Sequence, residues 1–106
     1  MKALFYKDGK HLKVEFDGDW NALSMFIETD GEWSEIRKHI ELNKKDGCAG
    51  NTSLITHISG SKYCVFCTLG LGLSSVEIDQ KQLLKIFDAW DEFNRDRKKK
   101  SFIIEV

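Results

Sequence analysis

The sequence predicts an α+β fold: a mainly antiparallel β-sheet packed by two or three α-helices, with a long C-terminal helix followed by a final strand. The strongest evidence is a helical periodicity between Asp79 and Lys100. Five large apolar residues recur there on one helix face: Leu83, Ile86, Phe87, Trp90 and Phe93. The second observation is a set of short segments that alternate apolar and polar residues, which is typical of strands with one buried face. Together these patterns indicate a sheet covered by helices.

Strands are predicted before, between and after the helices. The segments with strand-like composition are residues 3–7, 10–16, 54–58 and 62–69, with a final strand at 102–106. Asp8-Gly9 and Ser59-Gly60-Ser61 are expected to form the two hairpin turns. Residues 63–69 are apolar on both faces, which predicts a strand at the centre of its sheet.

Two shorter helices are predicted between the hairpins. The apolar spacing indicates one helix from Asp19, its N-cap, to about residue 28, and another from Trp33 to near Lys45. The alternative is a further hairpin within residues 24–36 that turns at Asp30-Gly31. Helices are favoured because the apolar residues after Trp33 recur at three- and four-residue intervals and not in twos.

Length and composition limit the possible classes of protein. At 106 residues the chain is predicted to be a single domain, 1–106. Its net charge of −1 argues against a nucleic-acid-binding protein that relies on overall positive charge. No apolar run reaches the ~18 residues that a membrane span requires, and the N-terminus lacks a signal-peptide pattern. Three cysteines without a disulfide pattern are typical of a cytoplasmic protein, which is the expected location.

Two groups of residues are candidates for chemistry. Cys64-x-x-Cys67 lacks the further ligands of a zinc site, and positions three apart in a strand point to opposite faces. His11, His39 and His57 are the candidates for acid–base catalysis, with His11 and His57 able to share a sheet face. A small histidine-dependent phosphodiesterase is therefore one alternative. We expect no catalytic residue, no metal and no cofactor.

The charge distribution is the feature on which a functional hypothesis rests. From Glu15 to Ile36 there are seven carboxylates and no lysine or arginine, so this span has a formal charge of −7 and the remainder has +6. The simple interpretation is a solvated acidic surface, and the sharper one is a docking face for a cationic partner. The expected partner-binding residues are Asp17, Asp19, Trp20, Glu28, Asp30, Glu32, Trp33 and Glu35. Lys98–Lys100 is expected to be the solvated end of the last helix.

Three segments carry a family resemblance: Asp17-Gly18-Asp19-Trp20, Asp30-Gly31-Glu32-Trp33 and the aromatic final helix. With these, the whole chain resembles bacterial toxin-immunity proteins in size and layout, in particular those of contact-dependent growth inhibition systems. The resemblance implies a non-enzymatic inhibitor that forms a one-to-one complex with a cognate toxin domain. That toxin is expected to be a basic nuclease such as an RNase, while the inhibitor itself binds neither nucleic acid nor membrane. An unspecified protein-interaction module is the remaining alternative.

Overall fold

The structure, a computed structural model, describes residues 1–29 and 34–106. Its elements are β1 (Lys2–Asp8), β2 (His11–Phe16), α1 (Asn21–Thr29), α2 (Ser34–Glu41), β3 (Cys48–Ala49), β4 (Ser53–Ser59), β5 (Lys62–Cys67), β6 (Val76–Asp79), α3 (Gln80–Arg95) and β7 (Ser101–Glu105). All strand pairs are antiparallel. The α+β prediction is confirmed, including the long C-terminal helix and the strand that follows it.

Within the described residues the strands form two sheets, where the sequence predicted one. A three-stranded sheet has the order β2-β1-β7, and a four-stranded sheet has the order β3-β4-β5-β6. The first sheet stops at β2 because a helix meets its edge there. The backbone N–H of Val14 donates to the carboxylate of Glu28 in α1 at 3.2 Å, so a side chain takes the place of a neighbouring strand.

The first hairpin turns one residue later than predicted. Asp8 still pairs with His11, which leaves Gly9-Lys10 as the turn. The positive φ of 61° falls on Gly9, the first turn residue, where a type II′ turn places glycine.

The four-stranded sheet contains two strands that were not predicted, β3 and β6. The two residues of β3 are too few to show alternation, and β6 has only four residues, the last of which, Asp79, is the N-cap of α3. β5 lies between β4 and β6, which confirms its central position. Only one of its faces is covered, however: Val65 is fully buried, whereas Phe66 is 50% exposed beside its cross-strand neighbour Leu54.

Helices, and not a hairpin, form in the described part of residues 24–36. The first helix begins at Asn21, after the predicted cap Asp19. The carbonyl oxygen of Trp20 accepts the N–H groups of Leu23 and Ser24, so the first helical hydrogen bonds start at Trp20. The Asp19 carboxylate instead accepts from the side chain of Asn21.

The second helix ends at Glu41, four residues before the predicted end. Asn43 adopts a left-handed conformation (φ 48°), and Lys44 N–H donates back to the carbonyl of His39. This is the Schellman arrangement that terminates helices. The side chain of Asn43 also accepts from the Tyr63 hydroxyl at 2.5 Å, which ties the helix end to the four-stranded sheet.

The long helix α3 ends at Arg95 and does not continue to Lys100. The Asp96 carboxylate accepts the backbone N–H groups of Lys98 and Lys99, which turns the chain towards β7. Lys98–Lys100 therefore lies in the connection to β7 and is not part of the helix end, contrary to the prediction.

The apolar face of α3 forms the centre of the core. All five residues predicted for this face are buried, with Leu83, Ile86, Phe87 and Phe93 at 0% exposure and Trp90 at 8%. Phe87 meets Phe26 of α1 with ring centroids 6.1 Å apart, and Phe5 of β1 lies 6.2 Å from Trp90. The helix therefore joins the three-stranded sheet to α1 through aromatic contacts.

The opposite side of α3 is linked to α2 by one arginine. Arg37 donates to Asp91 at 2.9 Å, to Asp88, and to Glu41 of its own helix at 3.0 Å. These carboxylates raise the pKa of the guanidinium, with the Asp88 hydrogen bond as the largest cause. No helix in the described residues is long and apolar enough to span a membrane.

Asp79 is the N-cap of α3, and its substitution tests that role. Its carboxylate accepts from Lys81 N–H at 3.2 Å, and Gln82 completes a capping box. Asp79→Ala is expected to lower the free energy of unfolding by about 1 kcal/mol at neutral pH. Chemical denaturation at several pH values measures this, with the exposed neighbour Glu77→Ala as the control.

The Asp79 contribution should disappear in acid. A hydrogen bond from Ser61 is the largest cause that lowers the pKa of Asp79 below its ordinary value of 3.8. A lowered pKa stabilises the fold above the unfolded-state pKa, and this stability is lost as the pH falls through the folded-state pKa. The difference between wild type and Asp79→Ala should therefore narrow below about pH 4. A constant difference from pH 7 to pH 2 would contradict the capping role.

Candidate functional site

Three of the predicted acidic residues come together at the end of β2 and in the turn that leads to α1. Glu15, Asp17 and Asp19 are all exposed, and we call these three residues the acidic corner. Alternation along β2 directs Glu15 away from the buried Val14 and onto the outer face of the sheet. The acidic corner is thus the part of the acidic span that the described fold presents to solvent in one place.

Each carboxylate of the acidic corner is held by a neighbouring donor. The donors are the Tyr6 hydroxyl to Glu15 (2.9 Å), the Lys2 backbone N–H to Asp17 (3.0 Å) and the Asn21 side-chain amide to Asp19 (3.3 Å). The hydrogen bond to Glu15 is the largest cause of a raised pKa of the Tyr6 phenol. Each of these hydrogen bonds restrains its carboxylate, which reduces the conformational entropy that the side chain would lose in a complex.

A groove of ≈ 190 Å³ adjoins the acidic corner on the outer face of the three-stranded sheet. Leu4 and Ile103 contribute apolar surface, and Lys2, Glu15 and Asp17 contribute charged groups. The strand register fixes this arrangement, since Leu4 lies directly between Glu15 of β2 and Ile103 of β7. An apolar centre with a charged rim is the usual anatomy of a protein-binding surface.

The apolar part of this groove was not predicted from the sequence. The run Phe102-Ile103-Ile104 in a predicted strand could have indicated it, because successive strand residues point to opposite faces. One of the three had to face outward, and the structure shows that it is Ile103, at 62% exposure. Leu4 is half-buried beside it.

Positive groups also lie near the acidic corner. Lys2 lines the groove, and the N-terminal amine of Met1 pairs with Glu105 at 3.1 Å. These two cations offset part of the negative charge of this region. The acidic character of the surface is therefore local to Glu15, Asp17 and Asp19.

Glu28, another predicted binding residue, has a role within the fold. Its carboxylate accepts from the Val14 backbone at 3.2 Å and from the Lys13 ammonium at 3.1 Å, and its side chain is only 20% exposed. Both contacts fasten α1 to the edge of β2. Glu28 is therefore not part of the acidic corner.

Glu28→Ala is expected to lower the free energy of unfolding by about 1–3 kcal/mol, because it leaves the Val14 N–H without its charged acceptor. Glu28→Gln should cost less, since its amide oxygen still accepts from Val14. Urea denaturation measures both, with Glu92→Ala on the exposed side of α3 as the control. Equal stability of wild type and Glu28→Ala would show that Glu28 is free for another role.

The remaining predicted binding residues do not join the acidic corner in the described structure. Glu35 is exposed in the first turn of α2 and lines a separate groove with Lys38, His39 and Lys44. Trp20 is half-buried against Phe16, with ring centroids 5.4 Å apart. The predicted residues Asp30, Glu32 and Trp33 lie outside the described residues.

The cysteines are separated by the alternation of β5. Cys67 is buried and Cys64 is half-buried, in agreement with the prediction that they face opposite sides of the strand. Burial is the largest cause that raises the pKa of the third thiol, Cys48, which favours the unreactive protonated form. Across residues 1–29 and 34–106 no group of three potential metal ligands lies together.

The three histidines lie on three different parts of the fold. His11 belongs to the three-stranded sheet and His57 to the four-stranded sheet, so the prediction that they share a sheet face is wrong. Nε2 of His57 is 2.8 Å from the carbonyl of Gly60, and Nε2 of His39 is 2.6 Å from that of Asp46. Both rings are engaged in holding loops, and the described geometry assembles no pair for acid–base catalysis.

Comparison of the chain with protein-family models, with curated proteins and with solved structures gives no match.

Proposed function

We propose that this protein is an immunity-type inhibitor that binds and neutralises a cognate toxin domain in the cytoplasm. The partner is a basic nuclease, most simply an RNase, and the complex contains one copy of each protein. The acidic corner, with the adjoining groove, contacts the toxin and occludes its active site. The observation that carries this proposal is the grouping of Glu15, Asp17 and Asp19, exposed and oriented, beside the apolar surface of Leu4 and Ile103.

The chemistry of a nuclease active site supports this pairing. A nuclease cleft attracts polyphosphate with positive charge, so an ordered set of carboxylates competes for the same groups. The apolar floor of the groove adds the desolvated contact area that gives a complex its lifetime. Neither feature requires a catalytic residue or a cofactor in the inhibitor.

The basic run Lys98–Lys100 lies at a distance from the acidic corner. The backbone N–H of Lys7 donates to the carbonyl of Lys100 at the far end of the three-stranded sheet. Lys7 lies five residues along β1 from Lys2. At ~3.4 Å per residue this separation is about 17 Å, roughly twice the screening length at physiological salt. The basic segment Lys98–Lys100 therefore leaves the field at the acidic corner largely unchanged.

The histidine-enzyme alternative loses its main support. It needed His11 and His57 on one sheet face, and they belong to different sheets. A protein-interaction module with another kind of partner uses the same surface and differs from the proposal only in what is bound.

Affinity capture from the source cell, followed by mass spectrometry, tests the proposal. The bait is the tagged full chain, and the matched control is Glu15→Gln/Asp17→Asn/Asp19→Asn, which removes three charges and keeps the hydrogen-bond acceptors. We expect the wild type to retain one basic protein whose purified form degrades RNA, and the triple variant to lose it. Capture of an acidic protein, or equal capture by both baits, would contradict the proposal.

A further inference from the structure

The hydrogen-bond pattern of the three-stranded sheet shows which groups of β7 are unused. Lys7 N–H donates to the carbonyl of Lys100 at 3.1 Å, and Val106 N–H donates to the carbonyl of Met1 at 2.7 Å. Bonded residues alternate along an antiparallel pair, so the even-numbered residues of β7 bond to β1. The backbone groups of Ser101, Ile103 and Glu105 consequently point away from the sheet.

This edge lacks most of the devices that usually protect a strand from pairing with another chain, and Glu105 is its single charged residue. Protection normally comes from lysine, proline, a bulge or a covering element. Ser101–Glu105 contains neither lysine nor proline, its register with β1 is unbroken, and no described strand lies on its outer side. The opposite edge of the same sheet is closed by Glu28, so β7 is the open side.

We propose that β7 is a self-association edge, on which β7 of a second copy of this chain pairs antiparallel about a two-fold axis. The two three-stranded sheets then form one continuous six-stranded sheet in the order β2-β1-β7-β7-β1-β2. This proposal does not rest on the toxin-binding function, although Ile103 belongs both to this edge and to the groove beside the acidic corner.

The side chains of β7 are compatible with pairing to β7 of a second copy, because the strand is complementary to itself in the antiparallel register. The register centred on Ile103 overlaps the whole strand and uses the outward-pointing groups of both copies. It places Ser101 opposite Glu105 of the second copy, and Phe102 opposite Ile104, so no like charges face each other. Glu105 also comes next to the run Lys98–Lys100 that precedes β7 in the second copy, which is favourable for both charges.

The exposure of Ile103 also supports a second copy of this chain as the binding partner. Ile103 is 62% exposed, and at the two-fold axis it packs against Ile103 of the second copy. Its neighbour Leu4 extends this apolar contact on either side of the axis. An isoleucine that is exposed in the single chain thereby becomes the centre of the interface.

The size of the edge sets the expected strength of the dimer. A five-residue strand is about 17 Å long, so the contact is smaller than a standard protein–protein interface. We therefore expect reversible dimerisation with a dissociation constant on the order of 10–100 μM. The two acidic corners lie at the outer strands, about 10 Å from β7, and stay accessible in the dimer.

Sedimentation velocity of the full chain from ~5 to ~500 μM tests the proposal by mass action. The variant is Ile103→Lys, which places two ammonium groups against each other at the axis and leaves the core unchanged. The matched control is Leu42→Lys, because Leu42 is exposed to the same degree (63%) and lies away from β7. We expect wild type and Leu42→Lys to dimerise with rising concentration, and Ile103→Lys to remain monomeric with an unchanged circular dichroism spectrum.

Amide hydrogen exchange then locates the interface. In wild type the Glu105 amide should gain protection as concentration rises, while the amide of Ile104, already bonded to β1, should not change. In Ile103→Lys the Glu105 amide should exchange rapidly at every concentration. The proposal is overturned if wild type stays monomeric at the highest concentration, if Ile103→Lys dimerises as well as wild type, or if Glu105 gains no protection in the dimer.

Discussion

Truncation of Phe87 to alanine is expected to lower the free energy of unfolding by about 3–5 kcal/mol, the largest stability effect we expect in this chain. Phe87 is completely buried and meets Phe26 of α1 in an edge-to-face contact with centroids 6.1 Å apart. The variant loses both this contact and the burial of the ring, and it leaves a cavity between α1 and α3 that the backbone cannot close.

Urea denaturation followed by tryptophan fluorescence measures this loss. The matched control is Phe66→Ala, which removes the same side chain from the outer face of the four-stranded sheet, where the ring is 50% exposed. We expect the control to lose less than about 1 kcal/mol. A loss below about 1 kcal/mol for Phe87→Ala would show that α3 does not hold the core together.

Neutralisation of the acidic corner is expected to have the largest effect on binding. Glu15→Gln/Asp17→Asn/Asp19→Asn should weaken the complex with the basic toxin about 100-fold, from roughly 1 kcal/mol for each lost charge pair. Each replacement keeps an acceptor for the donor that now holds the carboxylate, so the turn after β2 should stay folded. The stability of the variant is therefore expected to match that of wild type.

A second set of charges provides the control for this variant. Asp46, Glu77 and Glu92 are also exposed acids, and Asp46→Asn/Glu77→Gln/Glu92→Gln changes the net charge by the same amount away from the acidic corner. If binding followed net charge alone, both triple variants would weaken it equally. We expect the control to retain affinity within a few-fold, and the association rate of wild type to fall several-fold between low and physiological salt.

The fold was predictable where periodicity was strong. The five apolar residues from Leu83 to Phe93 are spaced for one helix face, and all are buried. The division into two sheets was not predictable, because strand pairing depends on contacts between segments distant in the sequence, such as that of β1 with β7. A pattern along the chain does not report which element meets the edge of a strand.

The candidate site was predictable only in part, for the same reason. Glu15, Asp17 and Asp19 are close in sequence, and so their proximity follows from the chain itself. Leu4 and Ile103 join them because β1 lies between β2 and β7 in the sheet, and β1 pairs with β7 across almost a hundred positions of sequence. Glu28 and Glu35 belong to the same acidic span but were separated by the folding of α1 and α2.

The most direct test of the proposed function is a titration of the captured toxin's RNA-cleaving activity with the purified protein. We expect wild type and the Asp46→Asn/Glu77→Gln/Glu92→Gln control to abolish cleavage at one equivalent of inhibitor. The Glu15→Gln/Asp17→Asn/Asp19→Asn variant should show an inhibition constant about 100-fold higher than that of wild type. Equal inhibition by the acidic-corner variant and the wild type would contradict the proposal that these carboxylates occlude the active site.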